Sequence, residues 1–133
     1  LRGNGGNDVL VGGTGRDLMT GNTGLDDFDF NALNEMGKTA STRDRITDFV
    51  HLQDDIDLRT IDAKAGSGNQ AFTFIGTSGF HKVAGELHVV KINAAGTVND
   101  KTIVEGDVNG DGKADFQIEL TGLKTLTGTD FIL

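Results

Sequence analysis

The chain has 133 residues, a formal net charge of −8, 36% hydrophobic residues and no cysteine. That is enough apolar matter for one domain with a modest core, and too little for two large ones. The acidic excess argues against nucleic acid and anionic membrane surfaces as partners, and the missing cysteines exclude a disulfide framework and a thiolate metal site.

From the N-terminus the sequence runs in nines. The blocks are Gly3–Val11 (GNGGNDVLV), Gly12–Thr20 (GGTGRDLMT) and Gly21–Asp29 (GNTGLDDFD). Gly6, Gly15 and Gly24 stand at the fourth place, Asp8, Asp17 and Asp26 at the sixth, and Leu10, Met19 and Phe28 at the eighth. A flexible glycine linker has no reason to keep an apolar side chain at a fixed place in every nine. The period predicts a coil of glycine-rich loops and very short strands, with the eighth-place residues stacked inside. The loops offer oxygen and nothing softer, which suits a hard cation, calcium above the others. The bland alternative is three Asp acting only as turn residues.

This pattern resembles the nonapeptide of the RTX (repeats-in-toxin) family, G-G-x-G-x-D-x-U-x with U a large apolar residue, which binds Ca²⁺. The middle block fits fully. The outer two carry Asn4 and Asn22 at the second place, and Leu25 stands where polar residues are usual. The resemblance implies a parallel β-roll in which loops two repeats apart stack and share an ion. The loop holding Asn4, Gly6 and Asp8 would then stack on that holding Asn22, Gly24 and Asp26. The loop holding Gly13, Gly15 and Asp17 would lie on the other edge. There Asp17 is expected to lack a good stacked partner, because NALNE downstream is degenerate.

Residues 1–30 are therefore expected to form the roll, 31–43 a polar connector and 44–133 a β-rich cap. DRITDFVHLQDDIDL alternates charged and apolar residues. It resembles the segment that caps the open end of the roll in serralysin-type peptidases and in the R-modules of alginate epimerases. Asp44, Asp48, Asp55 and Asp57 are read mostly as solvated faces of strands. A short helical turn is expected near Arg59–Ala63. AFTFIG, GELHVVKIN, KTIVEGD, ADFQIEL and DFIL then read as short strands between Gly, Asn and Asp turns. The fold class is all-β: a short parallel roll followed by a small antiparallel cap.

Between the third and fourth of these runs, DVNGDGKAD places Asp107, Asn109 and Asp111 at alternate positions, with Gly112 sixth and Asp115 ninth. This resembles the opening of an EF-hand or dockerin-type loop, and implies a second calcium site with the Lys113 carbonyl among its ligands. Ile118 stands where the bidentate Glu would be, and the flanks read as strands. An ordinary Asn-Gly/Asp-Gly hairpin turn is the alternative.

The final residues, Asp130, Phe131, Ile132 and Leu133, resemble the C-terminal signal of proteins exported by type I (ABC) secretion. His51, His81 and His88 form no HExxH, and no nucleophile–base arrangement is suggested, so the chain itself is expected to be non-catalytic. The expectation is a calcium-binding RTX C-terminal module, secreted by a Gram-negative bacterium and folding on Ca²⁺ outside the cell. Its partners would be calcium and the type I apparatus, with no nucleic acid, no membrane insertion and a monomeric state. It would be a fragment of a longer protein whose activity lies upstream, a serralysin-like zinc peptidase or another secreted enzyme. The competing reading is a polysaccharide-binding module, which the absence of Trp and Tyr weakens.

Overall fold

The computed structural model describes residues 1–66, 68–93 and 99–133. Eleven strands occur among them, in two sheets and with no α-helix. The roll is built from β1 (Arg2–Gly5), β2 (Val9–Val11), β3 (Leu18–Thr23), β4 (Asp27–Asp29), β5 (Asp44–Ile46) and β6 (Asp55–Asp57). β1, β3 and β5 pair in parallel on one side, and β2, β4 and β6 on the other. Val9 faces Asp27 and Arg2 faces Thr20, so one full coil consumes two nonapeptides.

The eighth-place residues behave as the period demands. Leu10, Met19 and Phe28 are all fully buried. Leu10 stacks on Phe28 and Phe28 on Ile56 across the second sheet, while Met19 stacks on Ile46 across the first. Asp44–Leu58 is thus the third coil of the roll and not the cap expected from the sequence. Its alternation hides a roll repeat because Phe49 and the turn at 51–53 replace the glycine-rich spelling. A helical turn at 59–63 does not form; the chain makes one bend there, with the Ile61 N–H donated to the Leu58 carbonyl. The two short 3₁₀ turns lie at Leu33–Glu35 and Gly128–Asp130.

The rest of the chain closes the roll's open end. β8 (Glu86–Ile92), β9 (Lys101–Asp107) and β10 (Phe116–Thr121) form an antiparallel meander, with the two-residue β7 (Thr73–Phe74) on its far edge. β10 pairs in parallel with β5, and Leu120 falls opposite Ile46, continuing the Met19–Ile46 column. On the second sheet β11 (Phe131–Ile132) pairs with β6 and sets Phe131 opposite Ile56. Both columns of the roll are therefore handed on, one to the meander and one to the last residues of the chain. Phe72 meets Phe116 edge-on at 5.5 Å, and Phe74 packs on Phe131 at 5.0 Å. A buried ion pair also ties the insert at 30–43, between β4 and β5, to the meander: Arg43 donates to Glu119 at 2.8 Å and to Gln117 at 2.9 Å.

Candidate metal centre

The roll's loops are shaped by residues that tolerate left-handed backbone. Asn4 (φ 82°), Gly13 (φ 83°) and Asn22 (φ 74°) share the second place of the nonapeptide. Asn is the side-chain-bearing residue most at home in that region, so the two departures from glycine keep the turn. The first-place glycines are needed for a different reason. A Cβ on Gly21 would collide with the Asp26 carboxyl, and one on Gly12 would lie 3.1 Å from Asp17 Oδ2. Each sixth-place carboxylate is folded back against the opening of its own repeat. Coils also touch: a Cβ on Gly24 would run into the Gly6 carbonyl.

The stacked loops are linked by a recurring bond. The Asp8 N–H donates to Asp26 Oδ1 at 3.0 Å, the Asp26 N–H to Asp54 Oδ1 at 3.1 Å, and on the opposite edge the Asp17 N–H to Asp44 Oδ1 at 2.7 Å. Asp17 therefore has a stacked partner, contrary to the expectation from NALNE. The insert between the two is looped out, and Asp44 returns the chain to register. Sequence alone missed this because the partner lies beyond the insert and lacks the glycine spelling.

The second oxygens of these carboxylates decide the chemistry. Asp8, Asp17, Asp26 and Asp44 each keep Oδ2 buried without any hydrogen-bond partner. Such an orphan costs about 1–3 kcal/mol, and more when charged. The four fall into two stacked pairs, Asp8 with Asp26 and Asp17 with Asp44, one on each edge. Burial pushes the Asp44 carboxyl up to about 6, with the Asp17 N–H opposing and the Asp17 charge adding to the rise. A cation between the paired loops is the group these oxygens and the adjoining carbonyls fit.

The next coil differs. Asp54 accepts from Asp26 N–H and, through its other oxygen, from Val50 N–H at 2.8 Å. Asp48 accepts from Gly21 N–H at 2.9 Å and Asn22 N–H at 2.7 Å. Asp44 and Asp48 thus accept backbone N–H groups and are not the solvated strand faces expected, nor is the buried Asp57; Asp54 accepts in the same way as Asp44. Asp27, Asp29, Asp55 and Asp57 flank Phe28 and Ile56 on the second sheet in facing pairs, Asp27 opposite Asp55 and Asp29 opposite the buried Asp57. Burial first, and the neighbouring carboxylates after it, raise both Asp27 and Asp55. Arg59 answers Asp57 at 2.6 Å.

The hairpin loop between β9 and β10 is satisfied from within. Asp107, fully buried, accepts Gly110 N–H at 2.7 Å and Gly112 N–H at 2.8 Å through its two oxygens. Asn109 Oδ1 accepts Asp111 N–H, Asp111 Oδ1 accepts Lys113 N–H, and Asp115 Oδ2 accepts Val108 and Asn109 N–H. Among the described residues no three acidic or imidazole side chains converge on one point, neither in this loop nor in the roll.

The histidines are all engaged elsewhere. His51 Nδ1 bonds the buried Asp130 at 2.7 Å, His81 Nδ1 bonds Glu86 Oε1 at 2.8 Å, and His88 stacks on Phe80 with its Nε2 on Glu105 at 2.8 Å. Asp130 also accepts Leu52 N–H at 3.1 Å and Thr127 N–H at 2.7 Å.

The family model described as Peptidase M10 serralysin C terminal matches residues 3–133. Two solved relatives share the fold, both subunits of the mannuronan C5-epimerase of Azotobacter vinelandii. The solution structure of the AlgE6R3 subunit is 23% identical with a TM-score of 0.63, covering 98% of this chain and 65% of its own. The AlgE6R2 subunit is 27% identical with a TM-score of 0.58, covering 94% and 70%. The chain thus spans just under two thirds of the first of them. No curated protein matches at a significant level.

Proposed function

Because the chain belongs to the serralysin C-terminal family of the M10 peptidases, an RTX-type β-roll family, we propose that it is a calcium-responsive roll that completes its fold outside the cell and serves a longer secreted protein. The observation that carries the reading is the set of four buried, unpartnered carboxylate oxygens in two stacked pairs. Asp8 and Asp26, with carbonyls of the loops at Asn4, Gly6, Asn22 and Gly24, would hold one ion. Asp17 and Asp44, with carbonyls near Gly13 and Gly15, would hold another. Calcium would supply the positive charge that these oxygens lack.

The energetic logic follows. Without an ion the paired carboxylates repel and the glycine-rich loops lose much conformational entropy on ordering. An ion that binds only the folded loops stabilises them in proportion to its concentration over Kd. Extracellular calcium modules have Kd values of roughly 10⁻⁴–10⁻³ M, so cytosolic calcium leaves such a roll loose and extracellular calcium orders it. The terminal Asp130–Leu133 would act as the type I export signal, and catalysis would reside upstream. None of the eight Phe is exposed, which weighs against a sugar-stacking surface.

Calcium titration of the chain by calorimetry, with circular dichroism before and after chelation, tests this. Two ions per chain and a gain of β signal are expected. A fully ordered roll in chelator by NMR would overturn the folding switch. Normal export of a full-length parent lacking Asp130–Leu133 would overturn the signal.

A further inference from the structure

The β9–β10 loop contains two peptide bonds of known chemical weakness, Asn109–Gly110 and Asp111–Gly112. At such bonds the glycine nitrogen, unshielded by a Cβ on its own residue, attacks Cγ of the preceding side chain. At Asn109 the N–Cγ bond forms, the Cγ–Nδ2 bond breaks and ammonia leaves. At Asp111 the same closure expels water. Water then opens the succinimide at either carbonyl, giving aspartate or isoaspartate. Both side chains are exposed, so reach of solvent does not protect them. Their nucleophiles, however, are occupied. Gly110 N–H donates to one oxygen of Asp107 at 2.7 Å and Gly112 N–H to the other at 2.8 Å, and Asp107 is fully buried. Asn109 Oδ1 is turned to Asp111 N–H and its Nδ2 to Asp115 Oδ1, which holds the target amide in place as well.

We propose that Asn109–Gly110 and Asp111–Gly112 are a spontaneous deamidation and isomerisation site, closed in the folded chain because the single carboxylate of Asp107 holds both attacking nitrogens. To attack, each amide must give up its proton. Doing so within that hydrogen bond would set a nitrogen anion against a carboxylate. Ring closure therefore waits for the loop to open, and isoaspartate at these positions records time spent unfolded. The proposal does not depend on calcium binding in the roll.

The test follows ammonia release, the mass gain at Asn109 and isoaspartate content at pH 8 and 37 °C. Samples are the native chain, the chain in urea and a peptide spanning 106–117. The native chain is expected to react slower than the peptide by about tenfold or more, the factor for breaking a hydrogen bond to a charged acceptor first. Equal rates would overturn the proposal. Asp107→Asn should speed the reaction strongly, and Asp115→Asn, which leaves both glycine nitrogens held, should not; equal acceleration would show general loosening and overturn the role of Asp107. If Asp107→Asn does not fold, hydrogen exchange on the native chain decides: slow exchange at the Gly110 and Gly112 amides supports the assignment, and exchange at free-peptide rates removes it.

Discussion

The roll loops and the β9–β10 loop use the same alphabet, Asp, Asn and Gly, to opposite ends. In the β9–β10 loop each carboxylate is matched to backbone N–H groups of its own turn, and Asp107 and Asp115 take two each. In the roll Asp26 and Asp44 each spend one oxygen on the coil before, and Asp8, Asp17, Asp26 and Asp44 all leave Oδ2 buried with no partner. The first arrangement closes a turn by itself. The second is incomplete until something positive arrives. The spacing explains the difference. Alternate acidic residues in one tight turn reach its own amides, whereas one Asp every nine residues is carried to the next coil.

The largest test of this contrast is metal removal. Chelation should abolish exchange protection in Gly3–Asp29 while leaving part of it in β9 and β10, read by NMR hydrogen exchange. Uniform loss across both regions would erase the distinction. Next comes Asp26→Ala, which removes one of the proposed ion ligands and strips the Asp8 N–H of its acceptor. It should cost one calcium and, at saturating calcium, lower stability by a further ~1–3 kcal/mol for the amide left unpaired. Asp8→Ala and Asp17→Ala should each lose one ion and affect calcium affinity about equally, since each carboxylate has a stacked partner. In contrast, Asp111→Ala should leave the calorimetric calcium count unchanged. A lost ion would make the hairpin loop a site after all.

A smaller effect comes with pH. Asp44 is held at about 6 in the fold against an ordinary value of 3.8. The folded chain thus binds a proton there more tightly than the unfolded chain, and stability contributed by this group falls as pH rises from about 3.8 to about 6. Calcium affinity at the Asp17–Asp44 edge should therefore fall when pH is lowered from 7 to 5, because the proton held there competes with the ion; an unchanged calorimetric Kd would count against it. Smallest of all is Lys38→Ala. Lys38 is largely exposed and only 4.0 Å from Asp115, so its loss should leave the hairpin's stability within error.

Much of the roll was legible because a nine-residue period binds three kinds of information at once: turn, charge and core. Gly6, Asp8 and Leu10 announce one another. Legibility ended where one of the three was missing. Asp44–Leu58 keeps the core column through Ile46 and Ile56 but has lost its glycines, so it read as a cap. Asp44 supplies the partner for Asp17 from beyond an insert whose length no local pattern reveals. The hairpin loop is ambiguous in another way. Its spacing matches a calcium loop, yet alternate Asp, Asn and Asp serve a self-closing turn equally well, and the pattern alone does not separate the two.

β11 has a consequence for the order of folding. Asp130 and His51 are 79 positions apart, and Phe131 is part of the wall that covers Ile56. Until β11 docks, the second sheet ends at β6 with Ile56 uncovered, and Leu52 N–H lacks the carboxylate that receives it. Pairing across so long a stretch of chain is slow to form. The third coil of the roll is therefore closed by a segment far along the sequence, and that edge is the last part of the second sheet to be covered.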